Sequence, residues 1–129
     1  MTAPSLSFDT PDLGPQLASL TEAELDTLDF GVIGFDADTT VCRYNKLESS
    51  DAGLSPQRVV GQPLFTNVAP CMNNFMVAQR FDDAADQGLP LDATIDYVLT
   101  LRMRPIKVAL RLIAVPGAAV RYVLVRRQR

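Results

Sequence analysis

Apolar and polar residues alternate through the last third of the chain but not through the first, and this contrast predicts where strands end and helices begin. In "ATIDYVLTLRMRP" Ile95, Tyr97, Leu99, Leu101 and Met103 fall on one face against Thr94, Asp96, Thr100 and Arg102, the period of two of a half-buried strand. "KVALRLIAV" and "VRYVLVRR" predict two further strands, parted by the turn "PGAA". Earlier, "FGVIGFDADTTVCRYN" reads as strand, turn and strand, with the turn on Asp36-Ala37-Asp38-Thr39, whose short polar side chains bond their own backbone. Between these groups the period lengthens. "FMVAQRFDDAADQG" places Phe75, Ala78, Phe81 and Ala85 on one face of the longest predicted helix, with Asn73 and Asn74 as caps and Gly88 just past its end.

The first thirty residues carry weaker signals. Thr10 is a candidate N-cap with Pro11 at the first helical position, although Gly14 and Pro15 keep that helix short. Thr21 and Glu24 stand at capping-box spacing before Leu25 and Leu28. Residues 45–62 mix polar turns with short helical stretches. The order of elements predicts an α+β domain: a five-stranded antiparallel sheet, helices gathered on one face, and a short helical N-terminal cap. A single domain over 1–129 follows, with the cap in 1–28 and the core in 29–129.

Composition agrees with a globule, since 47% of the residues are hydrophobic and 21% charged. No apolar run approaches the roughly 20 residues of a membrane span, and the start has neither the basic nor the apolar region of a signal peptide. A cytoplasmic protein is expected, without membrane association. The absence of histidine excludes Ser-His-Asp and Cys-His nucleophilic sites, imidazole-ligated haem and His-based zinc sites. The net charge of −3 hides a gradient. All the charges in residues 1–40 are acidic (Asp9, Asp12, Glu22, Glu24, Asp26, Asp29, Asp36, Asp38), whereas all those in 102–129 are basic. Because the bases alternate with apolar residues and no aromatic platform accompanies them, they predict docking of the acidic segment onto outward strand positions rather than nucleic-acid binding.

Three side chains are candidates for chemistry. Cys71 follows Pro70, which fixes its own φ and holds 69–71 in a defined shape before a helix, where amide dipoles favour a thiolate. By itself such a cysteine reads first as a small buried hydrophobe, with an attachment point or half of a Cys42–Cys71 bridge as the lesser alternatives. Tyr44 at a strand end and Glu48 four residues later each read as structural when taken alone.

Taken in order, "LDFGVIGFDADTTVCRYNKLESSDAGL", "VVGQPLFTNVAPC" and "IDYVLTLRMRP" closely resemble the photoactive yellow protein family, small blue-light receptors of the PAS superfamily. The most specific part is Val68-Ala69-Pro70-Cys71 with Tyr44-Asn45 and Glu48 upstream. The resemblance implies a PAS-like fold and p-coumaric (4-hydroxycinnamic) acid attached as a thioester to Cys71. It further implies that Tyr44 and a protonated Glu48 donate to the phenolate oxygen, that Phe65 and Val68 pack about the thioester end, and that Tyr97 and Leu99 line the pocket. Met103 matches a position that assists dark recovery. The implied function is a photocycle, not enzymatic turnover: trans–cis isomerisation, proton transfer from Glu48, and partial unfolding as the signal to a downstream signalling protein, from a monomer or weak dimer. Two positions depart from the family pattern. Ala52 stands where a threonine supports the tyrosine, and Leu54 where an arginine gates the pocket, which predicts shifted absorption or an altered photocycle rate. The rival readings are a dark PAS interaction module with a free Cys71, and a PAS domain with another cofactor. Haem is disfavoured by the missing histidine, and no flavin-type asparagine-cysteine-arginine signature surrounds either cysteine.

Overall fold

The computed structural model describes residues 6–100 and 105–127. Five strands, β1 (Gly31–Phe35), β2 (Val41–Tyr44), β3 (Leu91–Leu99), β4 (Ile106–Ala114) and β5 (Arg121–Arg127), form one antiparallel sheet in the order β2-β1-β5-β4-β3. The predicted turn between β1 and β2 forms as its sequence directs. Asp36 Oδ1 accepts from the amides of Asp38 and Thr40, and Thr39 takes a positive φ of 62°.

Alternation gives the sheet two buried faces. On one, Ile33, Tyr97, Leu99, Val108, Leu110, Val123 and Val125 pack against the helical segment between β2 and β3. That segment comprises α3 (Lys46–Ala52), α4 (Pro56–Val59), a wide π-helical turn at Leu64–Val68, a tight 3-10 turn at Pro70–Met72, and α5 (Ala78–Gln87). On the other face, α1 (Leu13–Ala18) and α2 (Glu22–Leu25) bury Leu13, Leu17 and Leu25 against Val32, Ile113, Tyr122 and Leu124. The sheet is thus the middle layer, with the N-terminal cap behind it.

α2 carries the predicted capping box: Thr21 Oγ1 accepts from the Glu24 amide and the Glu24 carboxylate from the Thr21 amide. Two local expectations differ. α1 begins at Leu13 with Asp12, at φ 52°, in the N-cap position, while the Thr10 hydroxyl instead accepts from the Ser7 amide. α5 begins at Ala78 because Asn74 Oδ1 takes the amides of Met76 and Val77, turning the chain first. Phe75 is therefore 79% exposed, and the buried face of α5 runs through Val77, Phe81 and Ala84 rather than Phe75 and Ala85. Leu101 and Met103, predicted to continue the β3 stripe, lie outside the described residues.

The charge gradient has a structural use. Arg43 donates to the carbonyls of Leu17 and Leu20 and to Glu22. Arg111 donates to the carbonyls of Phe8 and Thr10 and forks onto Asp92. Arg126 bonds Asp9 and lies 4.6 Å over the Phe8 ring. Basic strand positions therefore fasten the N-terminal segment to its face of the sheet. Among the described residues no helix is long and apolar enough to cross a membrane.

Candidate functional site

The end of β2 and the start of α3 are set by Asn45. Its fully buried side chain accepts from the Val32 and Glu48 amides, capping α3, and donates to the carbonyls of Leu25 and Phe30. One amide group thereby joins β1, α3 and the end of the cap. A helix starting at Lys46 points Glu48 inward against β1, where Gly31 leaves space: a Cβ there would sit 2.1 Å from Glu48 Oε1.

Glu48 is 2% exposed and meets the guanidinium of Arg127 in a fork, Nη1 to Oε1 at 2.7 Å and Nη2 to Oε2 at 3.1 Å. Arg127 Nη1 also lies 3.6 Å from Asp51 Oδ2. Two parallel N–H···O bonds are the geometry of a carboxylate, and such charge-assisted pairs are the stronger hydrogen bonds. Burial pushes Glu48 above the ordinary carboxylate range, while the bonds and charge of Arg127 pull it back. Burial also raises Tyr44, helped by the negative charge of Glu48 and opposed by Arg127. Tyr44 is buried, and its hydroxyl makes no hydrogen bond among the described residues. Glu48, expected from the resemblance to donate to a phenolate oxygen together with Tyr44, has both of its oxygens bonded to Arg127 in this structure.

Cys71 lies in the Pro70–Met72 turn, half-buried, and packs against the apolar cluster that holds Tyr44, Phe65, Val68, Tyr97 and Leu99. Pro70 itself is exposed. Cys42 and Cys71 are both free thiols. The turn is clamped from β3: the Tyr97 hydroxyl and Asn74 Nδ2 both donate to the Cys71 carbonyl, and Asn74 Nδ2 also reaches the Tyr97 oxygen at 2.6 Å. Ala52, on α3, is buried, and Leu54, just beyond it, packs partly buried against the same cluster.

The sheet ties these two places together. Tyr97 pairs with Val108, and Val108 with Arg127, so a single cross-strand row runs from the residue holding Cys71 to the residue holding Glu48. Two inter-strand spacings make that row on the order of 10 Å long. Tyr97, Val108, Arg127 and Asn74 line an open cavity of about 870 Å³; Cys71, Tyr44 and Glu48 are not in its wall. The buried Nε of Arg127 has no hydrogen-bond acceptor, the only side-chain atom so placed among the described residues.

Of the residues singled out in the sequence, Tyr44, Leu54, Phe65, Val68, Cys71, Tyr97 and Leu99 converge on one cluster, with Glu48 at its border and Met103 outside the described residues. Arg127, Asn45, Asn74 and Gly31 were not foreseen as site residues. For Arg127 a signal exists: odd positions of "VRYVLVRR" carry the inward Val123 and Val125, so the same parity turns Arg127 inward.

No family model matches the chain. It is 34% identical over 103 residues to a photoactive yellow protein of Rhodothalassium salexigens, covering 80% of this chain and 82% of that one. A photoactive yellow protein of Halochromatium salexigens is 34% identical over 101 residues, 78% of this chain and 80% of its own. Among solved structures, the photoactive yellow protein domain of the sensor histidine kinase Ppr from Rhodospirillum centenum superposes with a TM-score of 0.80 at 34% identity, covering 88% of this chain and 98% of that one. The PAS domain of an HTR-like protein from Haloarcula marismortui shares the fold alone, with a TM-score of 0.57 at 16% identity over 88% of this chain and 92% of its own.

Proposed function

Because the chain belongs to the photoactive yellow protein family of PAS domains, we propose that it is a blue-light receptor that carries p-coumaric acid as a thioester on Cys71. The observation that supports this best is the row Tyr97–Val108–Arg127, which lines a cavity and is bonded at one end to Cys71 and at the other to Glu48. That span suits one extended phenylpropenoyl group, sulfur-linked at one end and oxygen-terminated at the other.

The residues present fit such a group. A buried phenolate is costly unless donors surround it; among the described residues the Tyr44 hydroxyl has no hydrogen-bond partner and a buried N–H of Arg127 has no acceptor. Bound there, the group supplies a conjugated phenolate whose double bond isomerises in blue light. Cys71 anchors it, Phe65 and Val68 exclude water from the thioester end, and Tyr97 and Leu99 wall the ring. Tyr44 and a protonated Glu48 would donate to the phenolate oxygen, and Glu48 would pass its proton to that oxygen in the photocycle. A carboxylate left there without the Arg127 fork is buried and unpaired, at a cost of several kcal/mol. Since a domain of this size is stabilised by only about 5–15 kcal/mol, that cost is enough to open a sub-global unit.

The cap is that unit. α1 and α2 have six and four residues, too short to persist undocked, and Asn45 links the Glu48 helix directly to the carbonyls of Leu25 and Phe30. Signalling then consists of cap release, read by a downstream protein, with no turnover chemistry. Ala52 offers no hydroxyl behind Tyr44, and Leu54 gives the pocket an apolar border. Colour or recovery rate should therefore change in an Ala52→Thr, Leu54→Arg variant, and identity in both would contradict these roles.

The test is to mix apoprotein with activated p-coumaric acid. A mass increase on Cys71, with a visible band that bleaches in blue light and recovers in the dark, is expected. A band that persists in Cys71→Ala, or an unmodified colourless protein, would exclude this function and leave a PAS interaction module.

A further inference from the structure

Glu48 shares its buried place with a permanent cation. Arg127 is the last described residue of β5, its side chain only 8% exposed, and it touches Glu48 with two nitrogens, approaches Asp51 with one of the same two, and leaves the third buried and without an acceptor among the described residues. The groups that face Glu48 are Tyr44 from β2, Asp51 from its own helix, Arg127 from β5 and the backbone of Gly31 from β1. Two carboxylates therefore stand by one guanidinium, and of the three groups only Arg127 lines the cavity that Tyr97 and Val108 also line. Resting on the chromophore reading above, the geometry points to Arg127 as a partner-exchanging counter-ion: before a phenolic ligand is attached it holds Glu48 as a carboxylate, and on attachment it turns its charge to the ligand oxygen while Glu48 becomes the neutral acid.

The step balances within the site. The O–H bond of the phenol breaks, its proton forms a new O–H bond on a Glu48 oxygen, and the guanidinium charge passes from the carboxylate to the phenolate. No proton or charge enters from solvent. Arg127 Nε, without an acceptor among the described residues, supplies a further donor for this exchange, and Asp51 keeps a carboxylate near the guanidinium once Glu48 has become neutral. Arg127 is thus a positioning residue. It sets which of two oxygens carries the negative charge.

Infrared spectroscopy on apoprotein and loaded protein tests this, with Glu48→Gln as the difference reference at neutral pH. Wild-type apoprotein should show no protonated-carboxyl band from Glu48, Arg127→Gln should show it, and Arg127→Lys, which keeps the charge, should not. Loading with activated p-coumaric acid should make the band appear in the wild type. In loaded Arg127→Gln the pH midpoint for forming the coloured anion should rise by about one unit or more, tenfold in proton concentration. A Glu48 acid band already present in wild-type apoprotein, its absence after loading, or an unchanged midpoint in Arg127→Gln overturns the exchange. If Cys71 takes no adduct, the chromophore reading fails and the exchange with it, while the apoprotein band still decides whether Arg127 holds Glu48 ionised.

Discussion

Arg126 and Arg127 are neighbours in sequence and face opposite sides of one sheet, and the two sides use charge differently. Behind the sheet, Arg126 and its companions Arg43 and Arg111 bind carboxylates that keep one side in water: Glu22 is 67% exposed, Asp92 46% and Asp9 73%. On the core side, the side chains of Arg127 and Glu48 are 8% and 3% exposed. Water screens the first kind of pair, which contributes little as an ion pair and acts mainly by tying down backbone carbonyls. The second kind gains little from pairing because desolvation costs nearly as much, yet loses heavily when one partner changes. Fasteners therefore lie on the cap side, and a poised charge on the core side.

The sharpest way to break the comparison is Arg127→Ala. Leaving Glu48 buried without its cation should cost about 3–5 kcal/mol at neutral pH by urea unfolding, and the loss should depend on pH. Burial raises the folded Glu48 value above its unfolded value of 4.5, so the folded chain holds that proton more tightly. Its contribution to stability is complete below pH 4.5 and declines as pH rises through the folded value. Without Arg127 to oppose burial, the decline should extend to higher pH than in the wild type; parallel pH profiles would contradict the assignment. Next is Asn45→Ala, which strips partners from two amides and two carbonyls on both sides of β1 and should cost about 3 kcal/mol, with hydrogen exchange rising in α2 and α3 together.

Smaller effects belong to the cap. Arg43→Ala removes donors from the Leu17 and Leu20 carbonyls and from the Tyr122 hydroxyl. A loss of about 2 kcal/mol is expected, seen as faster exchange in α1 and α2 with the α3 amides unchanged. Arg126→Ala deletes an exposed ion pair and one cation–π contact with Phe8, and should change stability by no more than about 1 kcal/mol. A larger loss from Arg126→Ala than from Arg127→Ala would invert the contrast between the faces.

Much of the fold was legible because period-two text with turn residues between leaves few alternatives, and β3, β4 and β5 formed where alternation is cleanest. The capping box at Thr21 was legible for the same reason, being local. Phe75 misled because a helical period was extended back across Asn74, whose side chain captures two amides and starts α5 three residues later. In the site, Tyr44, Phe65, Val68 and Cys71 were found through their order along the chain, and their convergence is a property of the fold. Arg127 is hidden in the sequence because the C-terminal bases read together as an outward-facing group, although strand parity divides Arg126 from Arg127. The pairing with Glu48, 79 residues away, depends on β5 lying next to β1, an adjacency that no local pattern encodes.

The central claim is that a proton change at Glu48 on one face releases the cap on the other. Hydrogen exchange of protein loaded with p-coumaric acid, in darkness and under continuous blue light, tests it most directly. Protection should fall in α1 and α2 under light and return in the dark, while the paired amides of β4 and β5 stay protected, and Glu48→Gln should abolish the difference. Equal protection of α1 and α2 in light and dark, in protein whose colour does bleach, would contradict the account.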